Sequence, residues 1–279
     1  MNYRHAFHAG NHGDCLKHAL LVWLLGAMQR KPAGIFVLDT HAGTGRYNLD
    51  ADPATRTGEA TRGILRLLAA PPPPLADYIG LVTQLGLYPG SPWLLRAMLR
   101  PQDRLACCEL HPDDIPPLRR LFARDPQVAV HHRDAWEALG ALLPPPSRER
   151  RALVLIDPPY EAEDEFARLA EGMAQAHRRM PGAVLAAWYP IKHRAPPRAF
   201  HTSLREARMR PPGLRDIVAA ELWLRAPLDP TRLNGSGLIV VNPPFGFEDA
   251  ARAILAALHD RLADGEDGAG YDVLRIADE

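Results

Sequence analysis

Ala152-Leu153-Val154-Leu155-Ile156-Asp157-Pro158-Pro159-Tyr160 is the stretch that decides the fold. Its first five residues are an unbroken apolar run with the length of a buried strand. Two prolines can neither continue a central strand nor open an ordinary helical turn, so the chain leaves the sheet there in a stiff loop. A carboxylate and an aromatic ring then flank two backbone carbonyls. That set suits gripping an exocyclic amino group while a planar base stacks on the ring. Taken alone, the same four residues also make a plain Pro-rich turn between strand and helix.

Working outward, strand patterns recur at 35–39, 104–109, 128–132, 183–188, 216–224 and 237–241, and a last apolar stretch runs over 271–276. Helical patterns fall at 14–30, 113–123, 134–143, 162–179 and 248–262, with Asp14 as a candidate N-cap of the first. Strands alternating with helices predict a parallel α/β sheet. The late strand pair has no long helix between its members, which predicts an antiparallel edge. Ligands in such sheets sit beyond the carboxyl ends of the strands.

Three more motifs lie at such ends. Asp39-Thr40-His41-Ala42-Gly43-Thr44-Gly45 closes the first strand, and its glycines allow a tight turn close to a ligand. It is neither a P-loop nor a full GxGxxG. Glu109 ends the second strand, where an acid can accept both hydroxyls of a ribose. An ordinary surface acid is the alternative. The spacing from Gly45 to Glu109 is 64 residues, against about 20 in the usual pattern. Residues 50–100, helical in pattern and free of strands, account for the excess as an insertion. Asp134 follows the third strand. It can accept from an adenine amino group beside the Ala135 N–H, and it can also cap a helix.

Gly turn, ribose acid, adenine acid and Asp157-Pro-Pro-Tyr160 thus close four successive strands. That is the order a class I S-adenosylmethionine-dependent methyltransferase needs, with the cofactor on the first three and the accepting amine on the fourth. A rival copy, Asn242-Pro243-Pro244-Phe245, also follows an apolar strand. It lies on the late antiparallel pair, away from the expected cofactor end, so Asp157 is preferred.

Composition bounds the rest. Apolar residues make up 47%, charged residues 24%, and net charge is zero, which excludes a whole-protein basic signature for nucleic acid. Local basic clusters remain: Arg194, Arg198, Arg205, Arg208, Arg210 and Arg215, and separately Arg148, Arg150 and Arg151. Solvated surfaces explain them equally well. Lysine occurs only at 17, 31 and 192. The longest apolar run, Ala19 to Met28, is too short to span a bilayer. The N-terminus is polar and His-rich, not a signal peptide, and the three cysteines form no framework, so a cytoplasmic protein is expected. The N-terminal segment holds Tyr3, Arg4, His5, His8, His12, Cys15, Lys17 and His18. A zinc site, a plain amphipathic helix and an RNA-facing cover of aromatic and cationic groups are its three readings. The cover is preferred, because no second paired set completes a metal site.

The chain resembles the J-type 23S ribosomal RNA adenine-N6 methyltransferases, the adenine-2030 family, along nearly its whole length. The specific parts are Tyr3 to His12, Lys17-His18, Leu38 to Gly43, Tyr88-Pro89-Gly90-Ser91-Pro92, Glu109-Leu110-His111-Pro112 and Asp157 to Tyr160. The resemblance implies a Rossmann-like methyltransferase with a mostly parallel seven-stranded sheet. Residues 1–49 and 101–279 would form that domain, and 50–100 an inserted helical subdomain. It implies a monomer that uses S-adenosylmethionine on an adenine of free 23S ribosomal RNA, with no metal. His18, His41, Ser91, Glu109, Asp134, Ala135 and Asp157 would line the cofactor site, with Asp157 also the proton acceptor. Tyr3 would contact RNA, with His5 and Lys17 nearby, and Pro158 and Tyr160 would hold the base. Ala135 stands where the family pattern has Gly. The rivals are the same chemistry on DNA adenine, a dinucleotide-dependent oxidoreductase, which leaves Asp157-Pro-Pro-Tyr160 unexplained, and a non-enzymatic RNA-binding module.

Overall fold

Strand β1, Ile35–Asp39, is buried at every residue, as an unalternating apolar run must be when both sheet faces are covered. The structure, a computed structural model, describes residues 7–49, 58–145, 149–207 and 213–278. Along the chain, helix α1 (His12–Gln29) precedes β1. A small ribbon, β2 (Arg46–Tyr47) with β3 (Tyr88–Pro89), brackets helices α2 (Glu59–Arg62), α3 (Ile64–Ala69) and α4 (Ala76–Leu85). Then follow α5 (Ser91–Met98), β4 (Arg104–Glu109), α6 (Ile115–Leu121), β5 (Val128–His132), α7 (Ala135–Ala141), β6 (Arg151–Ile156) and α8 (Glu165–Arg179). The remainder is β7 (Val184–Ile191), α9 (Ala195–Ala207), β8 (Ile217–Trp223), β9 (Gly235–Val241), α10 (Phe247–Leu262) and β10 (Gly270–Ala277).

Among the described residues eight strands form the main sheet, in the order β10-β8-β9-β7-β6-β1-β4-β5. This corrects the expected seven. The apolar stretch at the end pairs antiparallel along β8, from Gly270 opposite Trp223 to Ala277 opposite Ile217, and so covers an otherwise open edge. The strands β5, β4, β1, β6 and β7 are mutually parallel. β9 runs antiparallel between β7 and β8. The late pair is therefore antiparallel as expected, but it is inserted in the sheet and does not close its edge. Helix α9, which had no clear apolar pattern, carries the crossover from β7 to β8.

One core lies under α1, α5 and α10, with Leu16, Leu20, Leu94 and Ile254. The other lies under α7, α8 and α9, with Leu139, Met173 and Phe200. Helices α3 and α4 bury Ile64, Leu67, Tyr78 and Ile79 in the first core. Helix α1 is buried on nearly all sides, which its continuous apolar sequence requires. Asn11, not Asp14, is its N-cap: the Asn11 side chain accepts from the Asp14 N–H at 2.9 Å. That frees the Asp14 carboxylate for another task. The turn before α1 is pressed against the start of α3. The Ile64 N–H donates to the Gly10 carbonyl at 2.9 Å, and a Cβ on Gly63 would collide with that carbonyl. No helix among the described residues is long and apolar enough to cross a membrane.

The non-functional end of the sheet is clamped by Asp103, fully buried at the start of β4. Its carboxylate accepts from the Ile35 N–H at 2.9 Å, from Gln29 Nε2 at 3.1 Å, and from the Arg100 N–H and guanidinium at 3.0 Å. Burial pushes its pKa up, but these donors outweigh burial and hold it below the ordinary carboxylate value. Asp103→Ala is expected to lower stability by about 3 kcal/mol, as for breaking a buried pair, and the thermal midpoint by roughly 6–12 °C. A depressed carboxyl stabilises above its unfolded pKa, and the contribution is lost as pH falls through the folded value. Thermal melts should therefore show the gap between variant and wild type narrowing below about pH 4.

Candidate active site

Because β5, β4, β1 and β6 are neighbours and parallel, their carboxyl ends meet along one rim. The Gly turn, Glu109, Asp134 and Asp157 all line one cavity there, of about 830 Å³. This is within the usual range for sites that enclose a small organic ligand.

The part under β1, β4 and β5 has the character of a nucleoside site. Gly43 has φ of 59°, and a Cβ there would strike the Tyr47 hydroxyl, so only glycine fits the turn. Glu109 holds that turn in place: Oε2 accepts from the Gly43 N–H and Oε1 from the His111 N–H, both at 2.7 Å. Burial pushes the Glu109 pKa up. A carboxylate offers about four acceptor positions, so Glu109 keeps capacity for a ligand's hydroxyls. Asp134 serves as N-cap of α7, its Oδ1 accepting from the Trp136 and Glu137 N–H groups at 2.9 and 3.1 Å. Its Oδ2 remains for the cavity, beside Ala135 at the first helical position. The structure thus shows the helix-cap reading of Asp134.

The part under β6 is built on a buried ion set. Lys17 Nζ lies 2.9 Å from Asp14 Oδ1 and 2.7 Å from Asp157 Oδ2, with only 5% of its side chain exposed. Burial alone would lower the Lys17 pKa, but Asp14 and Asp157 outweigh it and raise it well above the ordinary value. Asp14 is held in turn by the Gly10 N–H at 2.9 Å. Lys17 thus does not face outward to meet RNA phosphate, as expected from its place in the N-terminal segment. Its helix is covered on all sides, and its ammonium is spent on two carboxylates. Asp157 Oδ1 makes no hydrogen bond among the described residues.

His41 stands between the two parts. Its Nδ1 lies 3.3 Å from the Asp157 N–H and 2.8 Å from Thr40 Oγ1. Burial lowers its pKa to about 4, so the ring is neutral near pH 7. Ser91 lines the cavity but directs its hydroxyl to Asp39 Oδ2 at 2.6 Å. His18, also in the lining, bonds Tyr88 through Nδ1 at 3.1 Å, and its Nε2 lies 4.0 Å from Asp14 Oδ1. Pro158 is buried. Tyr160 has φ of 53° and anchors its hydroxyl to the Trp188 carbonyl at 2.9 Å. Its ring packs 5.8 Å from Trp188 and 5.1 Å from Phe166. A non-glycine residue held at positive φ stores strain of the kind found at functional sites.

The rival Asn242 lies at the opposite end of the sheet, because β9 is antiparallel. Its side-chain amide donates to the Pro181 and Ala183 carbonyls at 2.8 Å, a structural role. Tyr3 and His5 lie outside the described residues. In the N-terminal segment His8 pairs with Glu59 and Cys15 is packed in the core. No group of three or more His, Cys, Asp or Glu among the described residues could hold a metal ion. Two residues of the site escaped sequence reasoning. Asp14 was taken for a cap, although an Asp and a Lys three apart in an apolar helix signal a buried pair. Asp39 was read only as part of the turn. It is fully buried under Ser91, and burial, with Asp157 nearby, raises its pKa to about 7.

A sheet in this order, with a Gly turn and three carboxylates on successive strand ends, defines a class I, Rossmann-like methyltransferase. The model of the RsmJ family, described as ribosomal RNA large subunit methyltransferase D, RlmJ, matches residues 32–273, and the chain belongs to that family. It is similar to two proteins named ribosomal RNA large subunit methyltransferase J. The Escherichia coli K12 protein is 39% identical over 270 residues, covering 94% of each chain. The Haemophilus influenzae protein is 37% identical over 271 residues, again covering 94% of each. A crystallised Legionella pneumophila protein shares the fold with a TM-score of 0.85 and 32% identity, over 96% of this chain and 98% of that one.

Two outcomes follow from the buried charges. Lys17→Met strands two carboxylates and should cost about 3–5 kcal/mol in denaturant unfolding. Adding Asp14→Asn should return part of that loss. Wild-type stability in the single variant would disprove the buried ion set. The raised pKa of Asp39 means that the fold favours its protonated form. That contribution is complete below the unfolded value near 4 and disappears as pH rises through about 7. Melting curves of Asp39→Asn should therefore shift in the variant's favour, relative to wild type, between pH 5 and pH 8.

Proposed function

We propose that this protein methylates the N6 amino group of an adenine in 23S ribosomal RNA, using S-adenosylmethionine. The carrying observation is Asp157. One oxygen is fixed by Lys17, the other makes no hydrogen bond among the described residues, and Asp157, Pro158 and the Gly turn line the same cavity. Family membership supports ribosomal RNA of the large subunit as the substrate.

The residues present fit the cofactor. Gly43 permits the tight turn at the cavity wall, and Glu109 and Asp134 each keep acceptor capacity for ribose hydroxyls and an adenine amino group. When bound, the cofactor supplies an electrophilic methyl on a sulfonium. The remaining work belongs to the chain. An adenine amino lone pair is delocalised into the ring and is a poor nucleophile. Asp157 Oδ1 and the Pro158 carbonyl accept its two hydrogens and draw it toward tetrahedral geometry. Such positioning lowers the barrier by several kcal/mol, within the roughly 7–11 kcal/mol that ideal orientation supplies. The amino nitrogen that took up this methyl would become cationic as the sulfonium turned neutral. It then gives one proton to Asp157. Tyr160 and Trp188 wall the space for the unstacked base.

The reading extends to protein-free RNA as substrate, to action in the cytoplasm and to a monomer. The N-terminal residues Tyr3 and His5 are part of the proposal as RNA contacts.

Asp157→Ala leaves Lys17 paired with Asp14 alone, so it should lower stability while remaining folded, and it should lose more than about nine-tenths of methyl transfer because the positioning contact disappears. Labelled-methyl transfer to protein-free 23S RNA measures this, and a DNA duplex in parallel tests the polymer. Preferential methylation of DNA would overturn the reading. Glu109→Ala should weaken S-adenosylmethionine binding by about 1.5–3 kcal/mol, as for a lost bond to a charged group. Calorimetry with S-adenosylmethionine and NAD checks it, and tighter binding of NAD would favour an oxidoreductase.

A further inference from the structure

The basic residues around α9 have no part in the site described so far. They line a second cavity, of about 420 Å³, between α9 and the ends of β7 and β8. Arg194, Arg198 and Arg205 fall at helical spacing on one face, with the Arg198 N–H bonded to the Arg194 carbonyl. Eleven residues of helix extend about 16 Å. All three side chains are exposed. The Arg194 guanidinium lies 4.6 Å from the centre of the Trp223 ring. That contact uses its face and leaves its N–H edge open. Arg198 forms no side-chain hydrogen bond or ion pair among the described residues. Arg205 gives one donor to the Ile276 carbonyl at 3.2 Å.

The cavity also holds acids, and their state matters. Glu221 is half-buried and accepts from the Tyr189 hydroxyl at 2.8 Å. Burial pushes its pKa up, against the pull of Arg194 and Arg198. Asp272 accepts from the Val273 N–H at 2.8 Å. Burial and Arg205 lower His201 to about 4, so it is neutral. Three arginines thus face one half-buried carboxylate, Glu221, bonded within the protein, and one exposed carboxylate, Asp272.

The second cavity adjoins the first across one ridge. Pro190 and Lys192 line the first, and Ile191 and Arg194 line the second. Thr231 and Leu233 line the first, and Pro227, on the same β8–β9 loop, lines the second. Asn234 fixes the two loops that form the ridge, its Nδ2 donating to the Lys192 and Asp229 carbonyls at 2.7 Å. Lys192, exposed on that ridge, forms no ion pair among the described residues. A row of open cations beside an aromatic ring, starting at the base pocket, is the arrangement that tracks a single strand by its phosphates.

We propose that the groove from Lys192 along Arg194, Arg198 and Arg205 binds backbone phosphates of the RNA strand that delivers the target adenine. The proposal rests on the RNA methyltransferase reading. The test uses full-length protein and protein-free 23S ribosomal RNA. Wild type is measured first. If it neither binds nor methylates this RNA, that reading falls and the groove with it. With wild type active, Arg194→Ala/Arg198→Ala should raise KM for RNA about tenfold or more, as for two lost charge-assisted contacts. The slope of log binding constant against log salt should flatten by about 0.7 per phosphate contact removed. Affinity for S-adenosylmethionine and kcat at saturating RNA should stay within about twofold of wild type. Arg178→Ala, at the far end of α8, controls for bulk charge and should change nothing. Wild-type KM and salt slope in the double variant would overturn the groove alone, as would an equal loss in Arg178→Ala.

Discussion

The buried ammonium of Lys17 is the constraint on which the rest of the site depends. A lysine enters a protein interior only with partners, because its desolvation otherwise exceeds what packing returns. Here the partners come from its own helix and from the strand end at Asp157, 140 residues away. Each needs the other two. Asp14 requires the Gly10 amide and therefore the turn that Asn11 caps. Asp157 requires the carboxyl end of β6 to lie beside α1. The N-terminal helix is thus electrostatically bonded to the reacting end of the sheet, and the apolar packing of α1 keeps water from loosening it.

That arrangement relates the two halves of the cavity. Glu109 joins β4 to the Gly turn after β1, and Asp39 joins the same turn to Ser91 at the start of α5. His41, neutral and placed next to the Asp157 amide, bridges the turn to β6. Carboxylates recur at every strand end, yet their environments differ. Asp157 faces an ammonium, Asp134 caps a helix, Glu109 accepts from two amides, and Asp39 is enclosed with a hydroxyl. The same functional group therefore stands as an ion-pair partner, a helix cap, an amide acceptor and a structural link.

Much of this was legible in the sequence. Parallel strands with apolar runs announce themselves because both faces are buried, and acids at their carboxyl ends mark the site. The four motifs lie together on adjacent strands, as their order required. What escaped were features set by pairing across long separations. The eighth strand is short in sequence signal because its register with β8, not its composition, makes it a strand. Helix α9 begins Ala195-Pro196-Pro197 and is rich in arginine, so its apolar face at Phe200 and Leu204 was obscured. Lys17 was read from its cationic type, whereas its role follows from burial, which sequence pattern does not report for a single polar residue in an apolar helix.

The contact between Gly10 and Gly63 has a consequence for how this chain can change. Gly63 does not line the cavity, yet its backbone serves as the mechanical stop for the turn ahead of α1. Any side chain at 63 would push residues 10 and 11 outward. The displacement would travel through Asn11 and Asp14 to the lysine, and so to the depth at which a base is held. A segment that could otherwise drift widely in composition is thereby held to a tolerance of one carbon atom at a single point.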